Sequence, residues 1–198
     1  MKLPSLPTLI FTAAILSCSV SQAATIAFDL KGYSGFGLLA ANETSASISL
    51  GWGGEIGAGI TFDDVTNVLT LNFGWGSANG FGNLTGTATA GHIHGSTASG
   101  GASAFTQSAG VKYGLDGLAG WNSSASAGGL TGAGNTVNIL AGDVTGLLNG
   151  QFYVNVHTSV NGTGELRGNL VQAAPEPTSL GLMAVSALGF LARRRRTA

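Results

Sequence analysis

The sequence predicts an all-β protein, an antiparallel Greek-key sandwich or barrel with one short helix. Three observations carry that prediction. Apolar residues recur with period two in run after run, and turn-forming residues separate the runs. Glycine occupies 33 of the 198 positions, and each disfavours helix by about 1 kcal/mol relative to alanine. The glycines follow no G-X-Y period, which excludes collagen. Charged residues make up only 9%, which excludes both a highly charged disordered chain and a basic nucleic-acid binder.

The strands are justified in chain order. Ile26, Phe28 and Leu30 alternate at the start of the body. Ala46, Ile48, Leu50 and Trp52 do the same across Ser45, Ser47, Ser49 and Gly51. Ile60 and Phe62 follow, then Leu69, Leu71, Phe73 and Trp75. Turns are expected at Asp63-Asp64, at Ser77-Ala78-Asn79-Gly80 and at Asn161-Gly162. From about Gly95 to Asn135 the chain is low in complexity, which predicts long loops with one or two short strands. Leu140, Val144, Leu147 and Leu148 fall at helical spacing, so a helix of about two turns is expected, capped by Asp143 and ended by Gly150. In the last runs Phe152, Val154 and Val156 alternate with Tyr153, Asn155 and His157, and Leu166 and Leu170 bracket Arg167 and Asn169. Trp52, Trp75 and Trp121 are expected to fill the core or an interface.

The mean hydropathy of +0.32 comes largely from the two ends. Lys2, the apolar run Leu9 to Leu16 and the small-x-small ending Ser21-Gln22-Ala23 make residues 1–23 a signal peptide, cleaved after Ala23. Ile15-Leu16-Ser17-Cys18 offers a rival reading, a loose lipoprotein box with Cys18 lipidated; Ser17 fits that box and Leu16 does not. At the other end Pro175-Glu176-Pro177 precedes an uncharged stretch, Thr178 to Ala192, and then Arg193, Arg194, Arg195 and Arg196. The stretch of about 15 residues is short against the ~20 of a stable span. Arginines behind it place the C-terminus in the cytoplasm and the body outside. A plain anchor helix is the simpler alternative. Residues 173–198 closely resemble the PEP-CTERM sorting signal. That resemblance implies processing by an exosortase-type transpeptidase and presentation at the surface or in the exopolysaccharide matrix, after transient membrane anchoring.

The body, residues 24–172, holds three basic residues (Lys31, Lys112, Arg167) and eight acidic ones, a net charge of −5. Such a surface seeks neither DNA nor anionic lipid. The one cysteine of the chain, Cys18, lies in the leader, so no disulfide supports the fold.

Two islands carry chemistry: Ala90-Gly91-His92-Ile93-His94-Gly95, and Leu148 to Thr158 followed by Gly164-Glu165-Leu166-Arg167-Gly168-Asn169-Leu170. In this order they resemble the chordin-type (CHRD) domain. The sequence departs from that family in its Asn161-Gly162-Thr163-Gly164 turn and in a Gly/Ser-rich insertion after Gly95. The resemblance implies an all-β Greek-key sandwich with an extracellular modular role and transfers no catalytic residue.

A His-x-His pair on a strand puts both rings on one face. His157 lies on the polar face of its own strand. If the strands pair, His92, His94 and His157 form a candidate site for Zn or Cu with an open coordination position. The competing expectation is that these rings bond backbone carbonyls or a neighbouring acid and fix a turn. The His-Ile-His string is also similar to a ligand pair of copper/zinc superoxide dismutase, but too few histidines and no body cysteines remain for that enzyme. Glu165 and Arg167 are expected to pair with each other or with Asn155. No Ser-His-Asp spacing, cysteine nucleophile, phosphate loop or clustered carboxylate pair is visible. The function expected is therefore a non-catalytic exported surface protein, with a metal-binding module as its rival. Exosortase, exopolysaccharide or surface proteins are its expected partners.

Overall fold

The computed structural model describes residues 24–43 and 49–174. The leader with Cys18 and Ala23, Ala46 and Ile48 of one expected strand, and the C-terminal signal (Pro175, Glu176, Pro177, the uncharged stretch and Arg193 to Arg196) lie outside the described residues.

Twelve antiparallel strands form one hydrogen-bonded sheet. They are β1 (Thr25–Gly32), β2 (Gly35–Phe36), β3 (Leu38–Leu39), β4 (Trp52–Asp63), β5 (Val68–Trp75), β6 (Ala88–His94), β7 (Val111–Gly114), β8 (Trp121–Asn122), β9 (Gly129–Leu130), β10 (Thr136–Asn138), β11 (Tyr153–Thr158) and β12 (Leu166–Gln172). The helix α1 (Ala141–Leu148) precedes β11. The main path runs β7-β6-β11-β12-β1-β4-β5-β9-β8. The last strand therefore lies beside the first, and the sheet folds back on itself: a Cβ on Gly91 of β6 would overlap the Trp121 ring of β8, at the far end of the path.

The alternating residues supply the core between the layers. Phe28, Leu30, Ile60, Phe62, Leu69, Leu71, Phe73, Ile93, Val154, Val156, Leu166 and Leu170 are all buried, each on the inward side of its strand. Trp75 is fully buried and Trp121 packs edge-on against it, ring centroids 5.3 Å apart. Trp52 departs from expectation, being 44% exposed at the start of β4.

Three further expectations are corrected. The run ending in Leu50 and Trp52 does not continue as an inward-facing strand: β4 starts only at Trp52, and Leu50 is 89% exposed. Ser49 is the cause, since its hydroxyl donates to the buried Glu165 carboxylate at 2.7 Å and accepts from the Gly51 N–H. The region 95–135 holds three short strands, β7 to β9, one more than the upper expectation, because backbone pairing with β5, with β6 and between β8 and β9 orders segments of two to four residues that are too short to show an alternation.

The helix forms where expected, but Asp143 does not cap it. Leu140 occupies the N-cap with no side-chain bond, and its N–H donates instead to the Tyr113 hydroxyl at 3.0 Å. Asp143, in the first turn, accepts from Lys112 Nζ (2.7 Å) and Tyr113 Oη (2.8 Å), which pins α1 to β7. Gly150, at φ 69°, ends the helix as expected.

Candidate metal centre

The site is built by the pairing of β6 with β11. In that register His92 lies opposite Asn155, His94 opposite Tyr153 and His157 opposite Ala90. Period two puts all of these on one face, the side away from Ile93, Val154 and Val156. His92 and His94 share a strand face as expected, and antiparallel register brings His157 to them. The three ring nitrogens available for ligation lie within 4.8 Å of one another. Ring centroids are 4.9 Å apart for His92 and His157, 5.6 Å for His92 and His94, and 6.0 Å for His94 and His157.

Gly91 and Gly95, which flank the pair, make room for neighbouring rings. A Cβ at Gly91 would overlap Trp121, and one at Gly95 would overlap Phe152. Close packing of these aromatics on the strand, not a turn within it, is the physical role of both glycines.

Two of the imidazoles are held from outside the cluster. His94 Nδ1 lies 2.9 Å from the Ala109 carbonyl oxygen, and His157 Nδ1 lies 3.1 Å from that of Gly162. A carbonyl oxygen only accepts, so both Nδ1 atoms carry the proton and both Nε2 atoms present a lone pair. His94 Nε2 is buried and has no hydrogen-bond partner. His92 Nδ1 faces His157 Nε2 at 3.1 Å, while on the far side of its ring Nε2 lies 4.0 Å from Asp116 Oδ1. Burial, followed by the neighbouring His157, pushes the His92 pKa down. Burial likewise pushes His94 down, against the opposing Ala109 hydrogen bond. Both rings are therefore biased toward the neutral form that a metal requires.

Residues that the sequence did not tie to the histidines complete the surroundings. Tyr153 stacks on His94 with ring centroids 4.9 Å apart and planes within 7°. Arg167, from β12, lies over the Tyr153 ring at 3.7 Å. Its guanidinium also donates to the carbonyls of Ala104 (3.0 Å) and Gln107 (2.7 Å). The Gly/Ser-rich insertion after Gly95 is thereby fastened over the histidine face, and the Ala109 N–H adds a bond to the Tyr153 hydroxyl. The placement of Tyr153 on the polar face of its strand was the one signal available for it. Nothing in the sequence marks Ala109 or Asp116, and Gly162 stood out only as part of the Asn161-Gly162 turn; Ala109 and Gly162 act through their backbone carbonyls.

The expected pairing of Glu165 with Arg167 does not occur. Glu165 is fully buried and accepts from Ser49 Oγ, the Thr85 N–H and hydroxyl, Thr158 Oγ1 and Asn161 Nδ2. Burial would raise its pKa, but the hydrogen bonds from Thr85, Thr158 and Ser49 hold it below the ordinary value. Asn155 gives its amide N–H to Glu43 at 2.5 Å. Two separate networks form because neutral donors and carbonyls already satisfy each charge.

The family model of the CHRD domain matches residues 38–170, and that of the PEP-CTERM protein-sorting motif matches residues 173–196. No curated protein and no solved structure matches the chain.

Proposed function

Since the chain belongs to the CHRD domain family and carries a PEP-CTERM sorting motif behind that domain, we propose that it serves as a non-catalytic module presented outside the cell, held at the surface or in the exopolysaccharide matrix. The PEP-CTERM motif implies an exported protein recognised by exosortase. The observation that carries the finer reading is the junction between the two parts. Strand β12 ends at Gln172 and the sorting motif begins at residue 173. Cutting the chain within the motif leaves every strand of the sheet in place, so the body is released or transferred folded. A body of net charge −5 has no basic surface for nucleic acid.

Cell fractionation tests this reading. The body is expected in the surface and matrix fraction of wild-type cells, and in the membrane fraction when the exosortase gene is deleted. A body that stays in the cytoplasm or inner membrane of wild-type cells would overturn it.

A second reading is favoured by the convergence of His92, His94 and His157: the exported module holds a Zn or Cu ion. Stoichiometric metal in the purified exported protein, lost on His157→Ala, supports that reading. Metal-free protein whose stability is unchanged by a chelator ends it.

A further inference from the structure

We propose that one Zn²⁺ or Cu²⁺ ion binds through His92 Nδ1, His94 Nε2 and His157 Nε2, and that it keeps a solvent-facing coordination position that takes an exogenous anion. This rests on the metal-binding reading and deepens it to named atoms and a ligand class.

The atoms follow from what the other ring nitrogens do. His94 and His157 each commit Nδ1–H to a backbone carbonyl, which aims the bare Nε2 atoms into the cluster. Outer hydrogen bonds of this kind fix tautomer and ring orientation in metal-bound histidines. His92 has its Nδ1 against His157 Nε2 at 3.1 Å. That separation is close to the ~3.3 Å expected between two nitrogens about 2.05 Å from one tetrahedral ion. In the metal-free protein the His92 Nδ1–H donates to His157. On binding, that proton leaves Nδ1 and Nε2 takes one up facing Asp116, 4.0 Å away, so His92 stays neutral. The third nitrogen, His94 Nε2, is buried without a partner, an uncompensated acceptor that a cation satisfies.

The ligand set selects the ion. Three imidazoles and no carboxylate suit Zn²⁺ or Cu²⁺ and disfavour Mg²⁺ and Ca²⁺, which need oxygen ligands. Three neutral donors also leave the ion's full charge uncancelled within its first shell. Among the described residues no fourth His, Cys, Asp or Glu joins the group. Asp116 sits behind the His92 ring, at the nitrogen turned away from His157. Glu43 is engaged by Asn155. All three histidine residues keep some exposure although His94 Nε2 itself is buried, and the proposed vacant position faces that exposed side. A three-histidine site with a free position exchanges water for anions.

The test uses the purified exported protein, stripped with chelator and reloaded separately with Zn²⁺, Cu²⁺ and Co²⁺. One equivalent is expected to bind saturably. The site should vanish in His157→Ala and in His94→Gln, with circular dichroism confirming that each variant is folded. Sodium azide added to the Co²⁺ or Cu²⁺ form should shift its visible spectrum with saturation. Absence of any saturable equivalent overturns the metal reading as a whole. An equivalent that survives in both histidine variants, or a spectrum that azide leaves unchanged, overturns the three-nitrogen open site while leaving metal binding intact.

Discussion

Glu165 shows how a single buried charge is made stable without a cation. Its two oxygens collect donors from four residues, drawn from separate stretches of the chain. Replacing it with alanine takes the acceptor away from the buried Thr158 and Asn161 side chains, so Glu165→Ala is expected to cost about 2–4 kcal/mol, measured by chemical denaturation at neutral pH with chelator present. A cost below about 1 kcal/mol would show that water replaces the carboxylate. The sign of the pH effect follows from the lowered pKa. The folded chain keeps Glu165 ionised at pH values where the unfolded chain protonates it, near its ordinary 4.5. The stability this network contributes is therefore present above that pH and lost as pH falls below it. Glu165→Gln should flatten the acid limb of the stability curve. At Gly95 the constraint is steric, because a methyl group there overlaps the Phe152 ring. Gly95→Ala is expected to destabilise by about 1–3 kcal/mol or more, again read by denaturation, and to disturb the neighbouring His94.

Among the elements, β1 carries a consequence that the family boundaries hide. The CHRD match begins at residue 38, yet β1 lies in the middle of the sheet, pairing with β12 on one side and β4 on the other. It also buries Phe28 and Leu30. A chain beginning at Leu38 loses both ladders and exposes two strand edges. It is expected to be unfolded or aggregated, as judged by circular dichroism and size-exclusion chromatography, whereas one beginning at Ala24 folds. How much of this was legible depends on the length scale of each signal. Period two placed Phe28, Phe62, Leu71 and Val154 correctly, because one buried face imposes alternation on any strand. It placed His92 and His94 together for the same reason. It could not show that His157 falls opposite Ala90, since register depends on the turns and on the bulge between His157 and Thr158. Nor could it place β7, β8 and β9, which are four, two and two residues long, too short to show an alternation. Asp143 was misread for a related reason: an acid near a helix start looks like a cap, but Lys112 and Tyr113 on β7 claim it first.

At the scale of the whole molecule, charge and apolar residues are segregated along the chain. The body carries three of the eight basic residues, while four stand together at Arg193 to Arg196. That arrangement suits a tail that is used during export and then removed. A permanent anchor favours about 20 apolar residues with flanking aromatics. This segment offers about 15 from Thr178 to Ala192, interrupted by Gly181 and Gly189, with Phe190 as its one aromatic. On the reading proposed above, it holds the exported body at the membrane while exosortase reads Pro175-Glu176-Pro177. Strand β12 is complete at Gln172, before the motif begins. Mass spectrometry of surface material is therefore expected to find a C-terminus at or near Pro175 to Pro177, with Arg193 to Arg196 absent. Replacing the three motif residues with alanine should trap an uncut form in the membrane fraction, its body still folded and still able to load metal. Recovery of the intact arginine tail from wild-type surface material would mean that the segment serves as a lasting anchor.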